Sequence, residues 1–592
     1  MSNDLGIDRS GNNNTWTVNN MTFVDQMIDT PTNNWCTNLP FITKFHSSYP
    51  TIVHSEGNLK VEFDSAGGGI NGAVSNMAIP STGKWYMERC ILTTGDGYGY
   101  PGDGVCHIKG WPDSPYNTVQ NYTHGGTIDA DGDIYGVGYD ADAGTVYWYK
   151  NGSQVSTASL TAGLVGKELF FVVSDDQGSG SKKMPFITNY GQDSSFAGKK
   201  TAQNNTDANG IGDFYYTVPT DFLALCTSNL AAVAVTPSKN FMVTTYAGNG
   251  SASTSNSSLS FQPDLLWFKG RSGTHDEENH IVFDAIRGTT HRLMPNNDDS
   301  ETTDVTAVLE SFDSDGWTMG SGAELNGSST EYVNWAWKGG NAISGTGDFT
   351  QGTIASTCSR NVDAGFSIVG YTGSGSAGTI GHGLNSTPEM IITWARSHGD
   401  NHRTYHKDLT DDTEDYMKLN TDDPETDGAS TTWNSTAPTA DVFSVSTDNS
   451  NNGSTRTYAA YCWHSVDGYS KVGYYTGNGY PENHSATFND GPFVHTGFQP
   501  KFVMIKGFSN DGYWIMYDSD RPTYYNPNGV VLFANVVDDE ADQTASTGYS
   551  TNKIDFLSNG FKLRGENSET NYERSYLYIA FAETPFKYSN AR

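Results

Sequence analysis

The chain repeats itself at the scale of a domain, and this constrains its fold more than any other feature. A strand that ends in a glycine-rich turn appears as Val243-Thr244-Thr245-Tyr246-Ala247-Gly248-Asn249-Gly250. It returns as Ser367-Ile368-Val369-Gly370-Tyr371-Thr372-Gly373-Ser374-Gly375, and again as Val472-Gly473-Tyr474-Tyr475-Thr476-Gly477-Asn478-Gly479. Each copy is followed by a hydrophobic strand led by proline: Pro263 to Lys269, Pro388 to Trp394 and Pro500 to Lys506. Each closes on an aromatic strand: Tyr332 to Trp337, Tyr458 to Trp463 and Tyr576 to Phe581. Self-similarity at a fixed period marks a repeated structural unit. Three related β units in series are therefore expected. The sequence leaves open whether each closes on itself or shares strands with a neighbour.

Elsewhere the hydrophobic period is two, as in Lys60-Val61-Glu62-Phe63 and Val146 to Lys150. Asn151-Gly152, Asp315-Gly316, Asn478-Gly479 and Asn559-Gly560 supply the positive φ that tight hairpins demand. The best helix candidate is the short Thr302-to-Leu309 stretch. Many short strands with Gly/Asn turns predict an all-β chain of sandwiches. At 592 residues it is too long for one core, so three or four domains are expected.

A net charge of −33 argues against nucleic acid, which selects a basic face, and against adsorption to an anionic membrane. No apolar run reaches the roughly 18 residues of a membrane span. The polar N-terminus carries no Sec-type signal pattern. The six cysteines (Cys36, Cys90, Cys106, Cys226, Cys358, Cys462) are far apart, form no CxxC and are expected to be buried thiols of a chain folded in a reducing cytoplasm.

Before residue 235 the pattern changes. Gly83-Lys84-Trp85-Tyr86, the strand Asp133 to Asp140, the Ala143-Gly144 turn, Val146 to Lys150 and Asn151-Gly152 together resemble the SPRY domain, a concanavalin-like β-sandwich. A wider resemblance is to tail-fibre-like structural proteins of marine, cyanophage-like bacteriophages. It is carried by Asn3 to Asp8, Trp16 to Asn20, Asp29 to Asn34, the three Tyr-Thr/Ala-Gly-x-Gly repeats and Ile554 to Lys562. The resemblance implies a virion surface protein, with residues 1–34 as an attachment arm, a SPRY-like sandwich over 35–230, and β repeats over 236–360, 361–468 and 469–592. By analogy with fibres, a homotrimer is expected.

Motifs for chemistry are weak. Gly97-Tyr98-Gly99-Tyr100-Pro101-Gly102 and Gly373-Ser374-Gly375-Ser376-Ala377-Gly378 match GxGxxG, but neither is followed by a helix pattern, so both read as β-turns. His398, His402 and His406 would align on a helix, which Gly399-Asp400-Asn401 breaks; in a strand only His402 and His406 share a face. Asp129-Ala130-Asp131-Gly132-Asp133 and Asp411-Asp412-Thr413-Glu414-Asp415 are candidate structural calcium turns, the first without the glycine and glutamate of an EF-hand. No other cofactor is expected. Sequons such as those at Asn121 and Asn434 are compositional. Tyr98, Tyr100, Trp111 and Tyr116, in a Gly/Pro-rich stretch, are the candidate ligand-binding residues, because loop aromatics can stack on sugar rings. Trp148, Trp267, Trp335, Trp337 and Trp514 read as core.

The expectation is a non-enzymatic virion protein on a tail fibre or similar appendage that recognises a host-surface glycan or protein. Its partners would be other virion proteins and a host receptor. The rivals are a capsid decoration or connector protein that binds only virion subunits, and a polysaccharide depolymerase whose paired carboxylates the composition does not single out.

Overall fold

The computed structural model describes residues 6–8, 11–19, 32–40, 52–63, 69–92, 100–108, 119–123, 130–177, 185–276, 278–303, 308–340, 342–343, 351–478, 491–523, 526–543, 552–565 and 567–588. The chain forms two compact units, Met1–Ala232 and Val233–Arg592. Both are all-β.

In the first unit an eight-stranded sheet runs Ile52–Ser55, Lys60–Phe63, Phe186–Asn189, Lys84–Ile91, Ile134–Asp140, Thr145–Lys150 and Ser153–Ser159, with Phe222–Ala224 added parallel to Lys84–Ile91. A four-stranded sheet carries Gly69–Val74, Phe170–Gln177, Tyr100–Cys106 and Val119–Thr123. Arg89 on the larger sheet and Asp103 on the smaller pair at 2.8 Å, both buried, and the Trp148 Nε1–H donates to the Asp103 carbonyl at 2.6 Å. Asn151 and Gly152, at φ 50° and 78°, make the hairpin turn before Ser153–Ser159. Where the N-terminal arm is described, the Trp16 N–H donates to the Gly6 carbonyl and the Trp16 side chain is exposed.

The second unit holds three copies of one sandwich. In each, the aromatic closing strand pairs on one side with the strand leading to the glycine turn and on the other with the proline-led strand. These trios are Phe241–Ala247, Thr330–Trp337 and Leu265–Gly273; Phe366–Thr372, Thr457–Trp463 and Met390–Ala395; and Ser470–Thr476, Ser575–Pro585 and Phe498–Gly507. The register is the same each time: Tyr246 opposes Tyr332, Tyr371 opposes Tyr458, and Tyr475 opposes Tyr576. A second, smaller sheet of two or three strands completes each sandwich. Ser356–Asn361 pairs with Phe366–Thr372 and so belongs to the second copy's sheet.

The large sheets are buried on both faces. Leu266 and Phe268 pack with Trp317 inside the first sandwich, while Leu265 and Trp267 on the same strand enter a core shared by all three copies. Ile391 and Ile392 divide in the same way, as do Val503 and Met504. This explains why the closing strands read as continuous apolar runs, the mark of strands covered on both sides. At the centre Trp267, Ile392 and Met504, from equivalent positions, meet Trp337, Trp463 and Phe581 around an apolar cavity of about 20 Å³.

The three copies close into a ring through equivalent bonds. The ring N–H of His280 donates to the Phe533 carbonyl at 3.0 Å, that of His402 to Met294 at 3.4 Å, and that of Trp514 to Lys418 at 2.9 Å. The first copy thus bonds to the third, the second to the first and the third to the second. The Glu540, Glu301 and Glu425 N–H groups return the bond, to the carbonyls of Arg271, Arg396 and Phe508 at 3.1, 2.9 and 2.8 Å.

The best helix candidate, Thr302-to-Leu309, is strand at both of its described ends. Thr302–Thr303 is a strand, Leu309 begins another, and residues 304–307 lie outside the described residues. The β-branched threonines suit the sheet edge that Glu301 anchors. Helix is confined among the described residues to single turns such as Ala323–Asn326 and Asn449–Asn452. The six cysteines are buried free thiols, and burial raises the pKa of each. Trp148, Trp267, Trp335, Trp337 and Trp514 are all core.

Candidate functional site

The repeated turn is the most constructed surface feature of the molecule. Its foundation is a stacked tyrosine pair: Tyr246 on Tyr332, Tyr371 on Tyr458 and Tyr475 on Tyr576, with ring centroids 5.3, 5.1 and 5.2 Å apart and interplanar angles of 16°, 18° and 14°. The first hydroxyl of each pair donates to a carbonyl of the short turn before the closing strand: Leu325 at 2.9 Å, Asn451 at 2.6 Å and Thr570 at 2.7 Å. The second does the same toward Ala323, Asn449 and Ser568. Burial, reinforced by the partner phenol, holds Tyr246, Tyr371 and Tyr475 well above the ordinary tyrosine pKa. They are neutral structural donors.

A buried asparagine then clamps the glycine turn. Asn326, Asn452 and Asn571 accept the N–H of Asn249, Ser374 and Asn478, each at 2.9 Å. Their amide groups donate onward, Asn326 to Ser251 and Gly320, Asn452 to Ser376 and Ser446, and Asn571 to Gly565. The glycine is required by space. A Cβ on Gly248, Gly373 or Gly477 would stand 2.2, 2.4 or 2.0 Å from the carbonyl oxygen of Gly327, Gly453 or Tyr572. Beyond the clamp the tips are open. Asn249 to Ser253 are mostly exposed, as are Ser374, Ser376 and Ala377, and residues 479–490 of the third turn lie outside the described residues. The arrangement offers hydroxyls, amides and backbone groups on a fixed base, chemistry suited to hydrogen-bonding a polar ligand.

The clamp asparagines were not singled out from sequence. The clue was present: an asparagine stands five or six residues before the tyrosine of every closing strand.

The residues proposed from sequence fall elsewhere. Tyr98, Trp111 and Tyr116 lie outside the described residues. Tyr100 opens the strand Tyr100–Cys106 opposite Asp176. The second GxGxxG ends where Gly378 begins a strand. His402 and His406 lie buried on the face of the second sandwich turned toward the other copies, where desolvation lowers both pKa values to about 3; they are neutral links, and His398 bonds separately to the Asn449 carbonyl.

The acidic turns already have partners. Asp131 pairs with Lys199 at 2.5 Å and Asp133 with Lys150 at 3.3 Å; Asp129 lies outside the described residues. Asp411 accepts from Thr413, Asp412 from the Tyr405 hydroxyl and Glu414 from Ser435, while Asp415 accepts the Asp411 N–H. Among the described residues no group of three or more His, Cys, Asp or Glu could hold a metal ion.

Comparisons with known proteins bear on the family and the fold. No curated protein matches the chain. Among solved structures, the SPRY domain of human HERC1 is 18% identical, with 23% of this chain and 91% of that one covered at a TM-score of 0.18. The TRIM65 PSpry domain is 14% identical, covering 26% and 90% at 0.18. Stonustoxin is 12% identical, covering 26% of this chain and 28% of its own at 0.19. The two-sheet architecture rests on the strand pairing given above. Residues 236–585 match the family described as a domain of unknown function, DUF7483. The chain belongs to that family.

Proposed function

We infer that this DUF7483 chain is a non-enzymatic virion surface protein of a bacteriophage, borne on a tail fibre or similar appendage, that recognises a glycan or protein of the host surface. The observation that carries the reading is the glycine turn built three times on one plan, with polar tips held by buried asparagines on a ring of fused sandwiches. Recognition residues are commonly set on loops that a rigid scaffold positions. Three turns on one body, multiplied over copies on one particle, raise the effective concentration of weak contacts. The tail-fibre-like features of the sequence supply the biological setting. The other partners in this reading are virion proteins, which the arm over residues 1–34 would engage.

The test is binding of the purified chain to intact host cells, with and without chelator. Saturable binding to host and none to a resistant strain is the expected result. Absence of binding by folded protein, with immunogold label on the capsid shell instead of the tail, overturns the reading in favour of a decoration protein. Release of reducing sugar from host polysaccharide overturns the non-enzymatic part.

A further inference from the structure

The residue after the clamp asparagine differs between the copies. It is glycine in the first two, Asn326-Gly327 and Asn452-Gly453, and tyrosine in the third, Asn571-Tyr572. An asparagine before glycine is open to a reaction within the chain, because no side chain hinders the following nitrogen. That nitrogen gives up its proton to base and bonds to the asparagine Cγ. The Cγ–Nδ2 bond breaks, and the amide nitrogen takes a proton from water and leaves as ammonia. Water then opens the five-membered imide to aspartate or isoaspartate.

The closed turn withholds each part of this reaction. Asn326 and Asn452 are fully buried, away from the water that completes it. A phenol holds each attacking nitrogen: the Gly453 N–H donates to the Tyr458 hydroxyl at 2.6 Å, and the Gly327 N–H to the Tyr332 hydroxyl at 2.8 Å. Gly327 has a second, longer bond to the Ala323 carbonyl at 3.3 Å, whereas Tyr458 is the one partner of the Gly453 N–H among the described residues. Burial pushes the Tyr458 pKa up to about 12, so this phenol is no base toward the N–H it accepts. Carbonyls hold each leaving nitrogen: those of Ser376 and Ser446 for Asn452, and of Ser251 and Gly320 for Asn326. Opening of the turn releases all of these groups together.

We propose that Asn326 and Asn452 are modification sites, converted to aspartate or isoaspartate while their turns are open. Conversion is one-way. A carboxylate at position 452 would face the Ser376 and Ser446 carbonyls with no proton to offer, so a converted turn does not regain its clamp. The third turn is exempt, because the Tyr572 side chain shields the nitrogen beside Asn571 and the Tyr576 hydroxyl holds its N–H at 2.8 Å. Two of the three turns thus have a chemically limited lifetime, set by the clamp alone, whatever the tips bind.

Peptide mass mapping of the full chain during incubation in mildly alkaline buffer, folded and in urea, tests this. In urea, Asn326 and Asn452 are expected to convert well ahead of Asn571, and in the folded chain both are expected to convert far more slowly. Tyr458→Phe, which frees the Gly453 N–H, is expected to speed conversion of Asn452 in the folded chain by up to about tenfold, the weight of one hydrogen bond, and to leave Asn326 unchanged. Asn452→Asp, which installs the product, is expected to speed amide hydrogen exchange at Ser374 and Gly375 and to leave Asn249 and Gly250 of the first copy unchanged. The proposal is overturned by a folded chain that converts as fast as the unfolded one, by Asn571 keeping pace with Asn452 in urea, by a Tyr458→Phe chain no faster than wild type, or by unchanged exchange in Asn452→Asp.

Discussion

The three seams of the ring are equivalent in backbone and unequal in chemistry. Where the second copy meets the first, Asp284 and Arg287 pair at 2.6 Å, Tyr461 donates to the same carboxylate at 2.6 Å, and Arg396 grips Glu301 with two bonds of 2.8 and 2.9 Å. Where the first meets the third, the same places hold Asp518 and Arg521 at 2.6 Å, the Trp335 indole on Asp518 at 3.1 Å, and Arg271 on Glu540 at 2.8 and 2.7 Å. Where the third meets the second, those places hold His406, Leu409, Ile579 and Phe508. Glu425 is retained, but its carboxylate turns to Thr410. The network has been replaced as a set. Removing one member would strand a buried charge, whereas replacing every member by apolar or neutral groups removes the need for partners. The contrast teaches that ring closure depends on the repeated main-chain bonds and the shared apolar core. The ionic groups are an addition that one seam dispenses with.

The sharpest way to break the comparison is Arg521→Leu, which gives one polar seam a single residue of the apolar one. It leaves the fully buried Asp518 uncompensated and is expected to lose about 3–5 kcal/mol in denaturant unfolding. Adding Asp518→His and Trp335→Ile to that variant gives three of the four places their apolar-seam residues, with Arg271 still paired to Glu540, and is expected to regain a large part of the loss. A triple variant less stable than the single one would show that the seams are not interchangeable. Next in size, Gly373→Ala forces a Cβ against the Gly453 carbonyl and is expected to lose about 1–3 kcal/mol. Asn452→Ala, which strips the clamp from the same turn, should fall in a similar range of about 1–3 kcal/mol. Both are read from urea midpoints.

Acid sharpens the comparison further, because two seams are bridged by histidine and one by tryptophan. Burial holds His280 well below the ordinary histidine range and His402 at about 3. A depressed folded-state value means that the unfolded chain binds the extra proton. The stability from each is complete above about pH 6.5 and is lost as pH falls from there toward the folded value. Within that window His402→Gln, which keeps a donor and removes the titration, should flatten the decline by up to about 1.4 kcal/mol per pH unit. Equal acid sensitivity in His402→Gln and wild type would contradict this. The smallest effect is expected at the third seam's own glutamate: Glu425→Gln should stay within about 0.5 kcal/mol, whereas Glu301→Gln, which weakens a two-bond arginine pair, should lose about 1–3 kcal/mol.

Much of the ring could be read from the chain. The Tyr-x-Gly turn, the proline-led strand and the aromatic strand recur in order because the same three strands pair in the same register in each sandwich. Asp315-Gly316 and Asn559-Gly560 stand at hairpin turns as the dipeptides suggest, but without the left-handed backbone expected of them, which Asn151-Gly152 does adopt. The shared core was half legible: Tyr332 to Trp337 has no polar alternate beyond Asn334, as a strand buried on both faces must, yet nothing local says what covers the second face. The seams were illegible because each joins residues distant in sequence, Trp335 with Asp518 or Tyr461 with Asp284. The acidic turn at Asp131 and Asp133 resembles a cation site only until Lys199 and Lys150 are brought beside it by folding. The clamp asparagines were hidden among the many asparagines of the chain.

Three amides in equivalent places report on the seams directly. The N–H groups of Glu301, Glu540 and Glu425 each cross one seam to a carbonyl of the next copy, with little difference in length. Native-state hydrogen exchange at these positions measures how readily each seam opens. The account predicts comparable protection at all three, because the main-chain bonds and the apolar core are common to the seams. Markedly faster exchange at Glu425, where the ionic network is missing, would contradict it.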